Sequence, residues 1–318
     1  INMNNLKKVG LTALAGALVS VSANAADITM SGAASLSFAG EEKQTTGNGF
    51  SMNDGITFSM AGELDNGWNV TVTQALNDDD VASNQVFDTR SLKIDMGDTG
   101  TLTFFGTGGS GVLSAIDDVT PTAGEESWDD VTSADSIPGG PTGGNMFHYS
   151  NASLMDGLTV SASYTPSDGA TEIESSMDYG IKFTGVENLT IGLAAGEDNG
   201  EGSSAAVDHT NMYITYTMDA FSVGYQATES DSQTASADKD FTAIGVSYAV
   251  SDDMSVSLNS SEIDYENTSL SSQEAMGISV SYTMGSMTIS ANHNTVDNIA
   301  GTATNDKSGY AASVAFAF

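Results

Sequence analysis

Met276-Gly277-Ile278-Ser279-Val280-Ser281-Tyr282-Thr283-Met284-Gly285-Ser286-Met287-Thr288-Ile289-Ser290-Ala291 sets a large apolar side chain at nearly every second position. Met276, Ile278, Val280, Tyr282 and Met284 lead into a Gly-Ser turn, and Met287, Ile289 and Ala291 lead out. A helix would repeat near 3.6. A repeat of two belongs to a strand, whose successive side chains point to opposite faces. Two such runs around a tight turn predict an antiparallel hairpin.

The same figure recurs along the chain. Ile56, Phe58 and Met60 turn at Asp65-Asn66-Gly67 into Trp68, Val70 and Val72. Further turns fall at Gly97-Asp98-Thr99-Gly100, Asp156-Gly157, Glu187-Asn188, Asp219-Ala220 and Asp252-Asp253. A first strand carries Ile28, Met30, Leu36 and Phe38, and a last one Tyr310, Ala312, Val314, Phe316 and Phe318. The pattern predicts sixteen strands joined by seven tight turns and eight longer acidic connections rich in Gly, Ser and Thr. Such alternation suits strands running up and down through a slab.

The opposite parity chooses between a soluble sheet and a membrane barrel. It holds Ser, Thr, Gly, Asn and a few charges on nearly every strand. A sixteen-stranded barrel is too wide for side chains to fill, so its inside stays wet and its outside needs the apolar band. Closure leaves no unpaired edge in lipid. Aromatics toward strand ends, such as Trp68, Tyr164, Phe221 and Tyr282, fit interfacial girdles. The class read from the pattern is all-β: a transmembrane antiparallel β-barrel of about 16 strands, with short periplasmic turns and long external loops.

Composition narrows the chemistry. The 318 residues hold 42 Asp plus Glu against 8 Lys plus Arg, a formal charge of −34, and no Cys. A surface able to neutralise a phosphate backbone is out of reach, so nucleic acid is excluded as a partner. No disulfide, thiolate nucleophile or Cys-ligated metal is available. Lys7 and Lys8, the small apolar run Val9 to Val21 and Ala23-Asn24-Ala25 read as a secretory signal peptide over 1–25, cleaved on export. Residues 26–318 then form one barrel domain with a net charge of −36. Gly106-Thr107-Gly108-Gly109-Ser110-Gly111 spells a dinucleotide fingerprint but opens an acidic loop rather than a helix. His148, His209 and His293 lack the spacing of a metal site, and no enzyme is expected.

The chain resembles a Gram-negative general porin, especially the alphaproteobacterial type. The resemblance is carried by the hairpin Ser91-Leu92-Lys93-Ile94-Asp95-Met96-Gly97-Asp98-Thr99-Gly100-Thr101-Leu102-Thr103-Phe104-Phe105-Gly106 and the terminal Phe316-Ala317-Phe318. It implies that the third loop, 107–145, folds into the pore as a constriction. It also implies a homotrimer in outer-membrane lipid and lipopolysaccharide, and a barrel-assembly signal at Tyr310, Phe316 and Phe318. The implied function is a water-filled channel for passive diffusion of small hydrophilic solutes.

That third loop carries Asp117, Asp118, Glu125, Glu126, Asp129, Asp130 and Asp135 and no basic residue. By the resemblance it sets an acidic eyelet, which favours cations and neutral solutes; a loop merely solvated at the outer face is the alternative. Arg90, Lys93 and Lys182 are the candidates for an opposing basic wall, with Asp95 and Asp178 on the same polar parity as Lys93 and Lys182. A Lys93–Asp95 salt pair is the plainer reading, and a single Arg departs from the denser cluster of such porins. No cofactor is expected beyond Ca²⁺ loosely held by Asp78-Asp79-Asp80, Glu197-Asp198-Asn199 or the third loop. A substrate-specific channel and an exported structural or adhesive β protein remain the competing functions.

Overall fold

A computed structural model describes residues 27–42, 49–77, 87–137, 139–167, 174–199 and 206–318. The signal-peptide segment and Asp78-Asp79-Asp80 lie outside the described residues. Eighteen strands follow in chain order: β1 (Asp27–Glu41), β2 (Phe50–Glu63), β3 (Asn69–Asn77), β4 (Thr89–Asp95), β5 (Thr101–Thr107), β6 (Gly109–Ser110), β7 (Thr142–Gly143), β8 (Met146–Met155) and β9 (Leu158–Thr165). They continue as β10 (Ser176–Val186), β11 (Leu189–Asp198), β12 (Val207–Met218), β13 (Phe221–Ser232), β14 (Lys239–Ser251), β15 (Met254–Tyr265), β16 (Gln273–Met284), β17 (Met287–Asp297) and β18 (Lys307–Ala317).

Sixteen of these close an antiparallel barrel in sequential order, and β6–β7 form a separate two-stranded ladder. The barrel closes where β1 meets β18, from Ala33↔Ala317 to Glu41↔Gly309. Gly32 and Phe318 exchange both backbone hydrogen bonds, at 3.1 and 2.8 Å, so the final residue completes the seam. Seven short turns join the hairpins at one rim, as the periodicity predicts. Several need a left-handed residue: Gly285 has φ +63°, and Asn188 and Asp219 supply +65° and +51°.

The two parities separate as the barrel reading requires. In the opening stretch Met276 is 62% exposed and Ile278 53%, while Ser279 is 3% exposed. In a soluble sheet those numbers would be reversed. The apolar parity continues around the wall through Met212, Ile214, Val223, Ile244 and Leu258, all exposed. An apolar surface of that extent requires lipid. Tyr310, Phe316 and Phe318 all lie on this outward face.

Candidate functional site

Cross-strand partners share a face, so one inward residue fixes the whole ring. The barrel runs inward from Asp178 through Ser163, His148, Thr103, Lys93 and Thr71. Inside lies the segment between β5 and β8, folded into the lumen with β6–β7 tying its two ends together (Gly109↔Gly143). Loop backbone carried into a barrel must find partners for its N–H and C=O groups. Amide side chains, which both donate and accept, supply them here.

Gln226 Nε2 donates to the carbonyls of Ile116 and Asp117, each at 3.0 Å, and Asn211 Nδ2 to Ile116 at 3.2 Å. Asn259 holds Pro121 O at 3.1 Å; Asn294 holds the carbonyls of Glu126 and Asp129 at 2.7 and 2.8 Å. Gln273 accepts from Asp135 N–H at 2.9 Å and donates to Asp135 O at 2.8 Å. Three apolar contacts reinforce this rail. Val112 and Leu113 pack on Ala194; Trp128 and Ile137 pack on Phe241, Ala243 and Ile263; Val131 packs on Ala275, Val296 and Ile299. Trp128 meets Phe241 edge-on with centroids 5.2 Å apart. Sequence reasoning missed these anchors. Their only signal was Asn, Gln and single apolar residues on the polar parity of β12–β17.

The contacts carry the loop from β10 round to β18 and β1. Among the described residues, the anchors named here do not extend to β2–β4; only the loop root at Gly108 lies against an inward residue there, Thr89 of β4. That bare wall is hydroxyl-lined, with Thr29, Ser59, Thr73 and Ser91 forming one rung.

The structure thus gathers the seven acidic loop residues inside the barrel, in unequal states. Asp118 and Glu125 are exposed; Asp117, Asp129, Asp130 and Asp135 are half-buried; Glu126 is 7% exposed. Glu125, Glu126 and Asp129 bring carboxylate oxygens within 4.8 Å of one another, the one set of described acidic residues placed to share a hard cation. Burial, reinforced by neighbouring Asp118, raises the Asp117 carboxyl to about 6. Burial and the hydrogen bond it gives Asp118 raise Glu126 to about 9. Asp118, Glu125 and Asp129 are raised as well, by partial desolvation inside the barrel together with repulsion from one another and from Asp130. Glu126 is therefore a neutral donor at pH 7, and the loop carries less charge than its formal count.

The sign of the pH dependence follows. An acid whose folded pKa is raised holds its proton in the docked loop, so loop docking weakens as pH climbs toward about 9 while lumen charge grows. Cation preference is expected to rise in two steps, near pH 6 and again toward pH 9. Glu126→Gln should remove the upper step alone; reversal potentials measured from pH 5 to 10 check this.

The expected basic wall is thinner than the sequence suggested. Lys93 and Lys182 face inward. Arg90 does not: it pairs with Gln74 on the outward register of Val72 and Leu92, one residue beyond the inward Ser91. Asp178 faces inward but is fully buried beneath the loop root, where its carboxylate accepts Leu113 N–H at 2.9 Å. It anchors the loop rather than lining open lumen. Asp95 accepts Gly97 N–H at 3.0 Å in its own turn, and no Lys93–Asp95 ion pair forms. Two lysines that the sequence reading passed over complete the inward set. Lys239 pairs with Asp135 at 2.7 Å, and Lys307 with Glu41 at 2.6 Å. Lys93 and Lys182 are thus the inward cations, among the described residues, left outside any ion pair.

The wide wet barrel, its inserted loop and its apolar girth are those of a channel. Solved structures share the fold at low sequence identity. The anion-selective porin from Comamonas acidovorans is 13% identical with a TM-score of 0.71 over 92% of this chain and 100% of that one. Salmonella typhi OmpF in complex with daunomycin is 10% identical, TM-score 0.70, over 92% and 98%. Vibrio cholerae OmpT in its trimer form is 12% identical, TM-score 0.67, over 92% and 100%. No curated protein matches the sequence. Residues 10–318 match the family model for Gram-negative porins, and the chain belongs to that family as an outer-membrane porin.

Proposed function

We propose that this porin passes small hydrophilic solutes by passive diffusion and prefers cations. The carrying observation is the charge balance of the lumen: the inserted loop brings seven acidic residues, and among the described residues only Lys93, on the otherwise hydroxyl-rich β2–β4 wall, and Lys182 remain as inward cations outside any ion pair. Carboxylates in a narrow aqueous path concentrate cations and repel anions. The fold does not set this sign, since the Comamonas porin of the same fold is anion-selective. Folded protein in a planar bilayer under a salt gradient should give a reversal potential of cationic sign. An anionic sign would overturn the preference, and a saturable block by one solute would point instead to a substrate-specific channel.

The reading includes a homotrimer. β4 and β5 have seven residues each, short of the ~9–11 a tilted strand needs to cross hydrocarbon. Arg90 faces outward in that low sector. An exposed guanidinium there is costly against lipid and is better covered by another copy. Arg90→Glu is expected to shift detergent-purified trimer toward monomer, read by crosslinking or light scattering.

It also includes divalent cations at the lipopolysaccharide leaflet. Outward carboxylates face each other directly across strands near the long-loop rim: Glu197↔Asp208↔Asp231, Glu229↔Asp240↔Asp264 and Glu262↔Glu274↔Asp297. Like charges so paired repel, and Ca²⁺ bridging to lipid phosphate relieves them. EDTA should lower the temperature at which the folded gel band is lost, and added Ca²⁺ should restore it.

A further inference from the structure

The loop tip docks where the first and last strands meet. Glu41 ends β1 and Lys307 begins β18, and their side chains form an ion pair at 2.6 Å across the closure seam. Together they grip one residue of the loop. Glu41 Oε2 accepts Thr132 N–H at 3.3 Å, and Lys307 Nζ donates to Thr132 O at 3.3 Å. Neither strand alone offers both a donor and an acceptor. Beside them Gly309, which pairs with Glu41, leaves room for the tip: a Cβ at that position would collide with the carbonyl oxygen of Asp130. Asn292 Nδ2 holds Asp130 Oδ2 at 2.7 Å, fixing the tip from β17 as well. Asp130 and Ser133 take left-handed φ of +59° and +69° to make the bend.

We propose that Glu41, Lys307 and Gly309 form a clasp for the constriction loop that exists only once β1 has paired with β18. Closing the barrel and narrowing it are then one coupled event. The loop tip staples the seam shut, and an unclosed barrel has only the β18 half of the grip on Thr132. The loop's other anchors lie on β10–β17, which pair with one another without the seam. They hold the loop against the wall as far as Asp130 and Val131 but do not grip Thr132, so the clasp decides how far the loop reaches across to β1. Glu41 and Lys307 act as positioning residues: they set the opening through Thr132 and need not touch a permeating solute. Trapping the tip also orders loop backbone that would otherwise fluctuate, which makes the clasp a determinant of current noise.

The proposal rests on the channel reading, and the test separates the two. Single-channel conductance and the heat-induced gel shift are measured on full-length protein for Lys307→Met, Glu41→Gln, Gly309→Ala and Lys307→Arg. Lys307→Met and Gly309→Ala are expected to raise conductance roughly twofold with added flicker, because a freed tip widens the narrowest section. Lys307→Arg keeps the charge and donors and should stay at the wild-type value, which a merely structural loss of β18 stability would not predict. Glu41→Gln retains an acceptor but not the ion pair and should fall between. If Gly309→Ala fails to fold, the two Lys307 variants decide. Wild-type conductance in Lys307→Met would overturn the clasp; a folded wild-type protein that conducts no ions would overturn the channel itself.

Discussion

The double substitution Asp118→Lys, Glu125→Lys is expected to reverse the ion preference of the channel. These are the two exposed carboxylates of the loop's acidic group, which also holds buried Glu126 and half-buried Asp117, Asp129 and Asp130. On the β2–β4 wall that the loop leaves bare, Lys93 is the one inward cation among the described residues, so little positive charge offsets their field. In water a unit charge at 4 Å contributes about 1 kcal/mol, and each reversal changes the local charge by two units. Even after salt screening, the cation-to-anion permeability ratio should fall by roughly tenfold and pass below unity. Asp118 also accepts the hydrogen bond of buried Glu126, so the heat-induced gel shift is recorded alongside and the comparison is made on folded protein. An unchanged reversal potential in folded protein would show that permeating ions pass out of reach of this loop face.

Ile278→Lys is expected to be among the most damaging single changes on the molecule, and Thr73→Lys nearly neutral for stability. Ile278 is 53% exposed on the outward face. In a soluble protein a lysine there would gain solvation; in lipid a lysine near the bilayer midplane costs about 2–4 kcal/mol. Thr73 faces the lumen on the bare hydroxyl rung, where an added ammonium stays in water and only shifts selectivity. Denaturant titration of folded barrel in lipid vesicles checks both. Similar stability for the two variants would contradict the assignment of faces.

The strands were legible because each carries its own evidence. Period two in Met276–Ala291 survives any tertiary context, since a slip of one residue would turn every apolar side chain to the wrong face. Strand number and short turns followed from local chemistry such as Asp156-Gly157 and Gly285-Ser286. Parity also decided Lys93 and Lys182 correctly. It would have decided Arg90 too, because Arg90 shares the parity of Leu92 and Ile94. Asp178 is the opposite case. Its face was right, but whether an inward carboxylate meets solute or loop depends on what lies over it.

By itself the sequence determined the wall: which residues face lipid, which face inward, and where the chain reverses. Those are short-range properties of a chain whose faces alternate by geometry. Only the tertiary structure decided the contents of the lumen. Asn294 reaches Glu126 and Asp129 across more than 160 positions, and Glu41 meets Lys307 only after the sheet has closed on itself. Loop backbone satisfied by side chains from other strands leaves no periodic trace. The acidic count therefore announced a charged throat without saying which carboxylates would be buried, protonated or free.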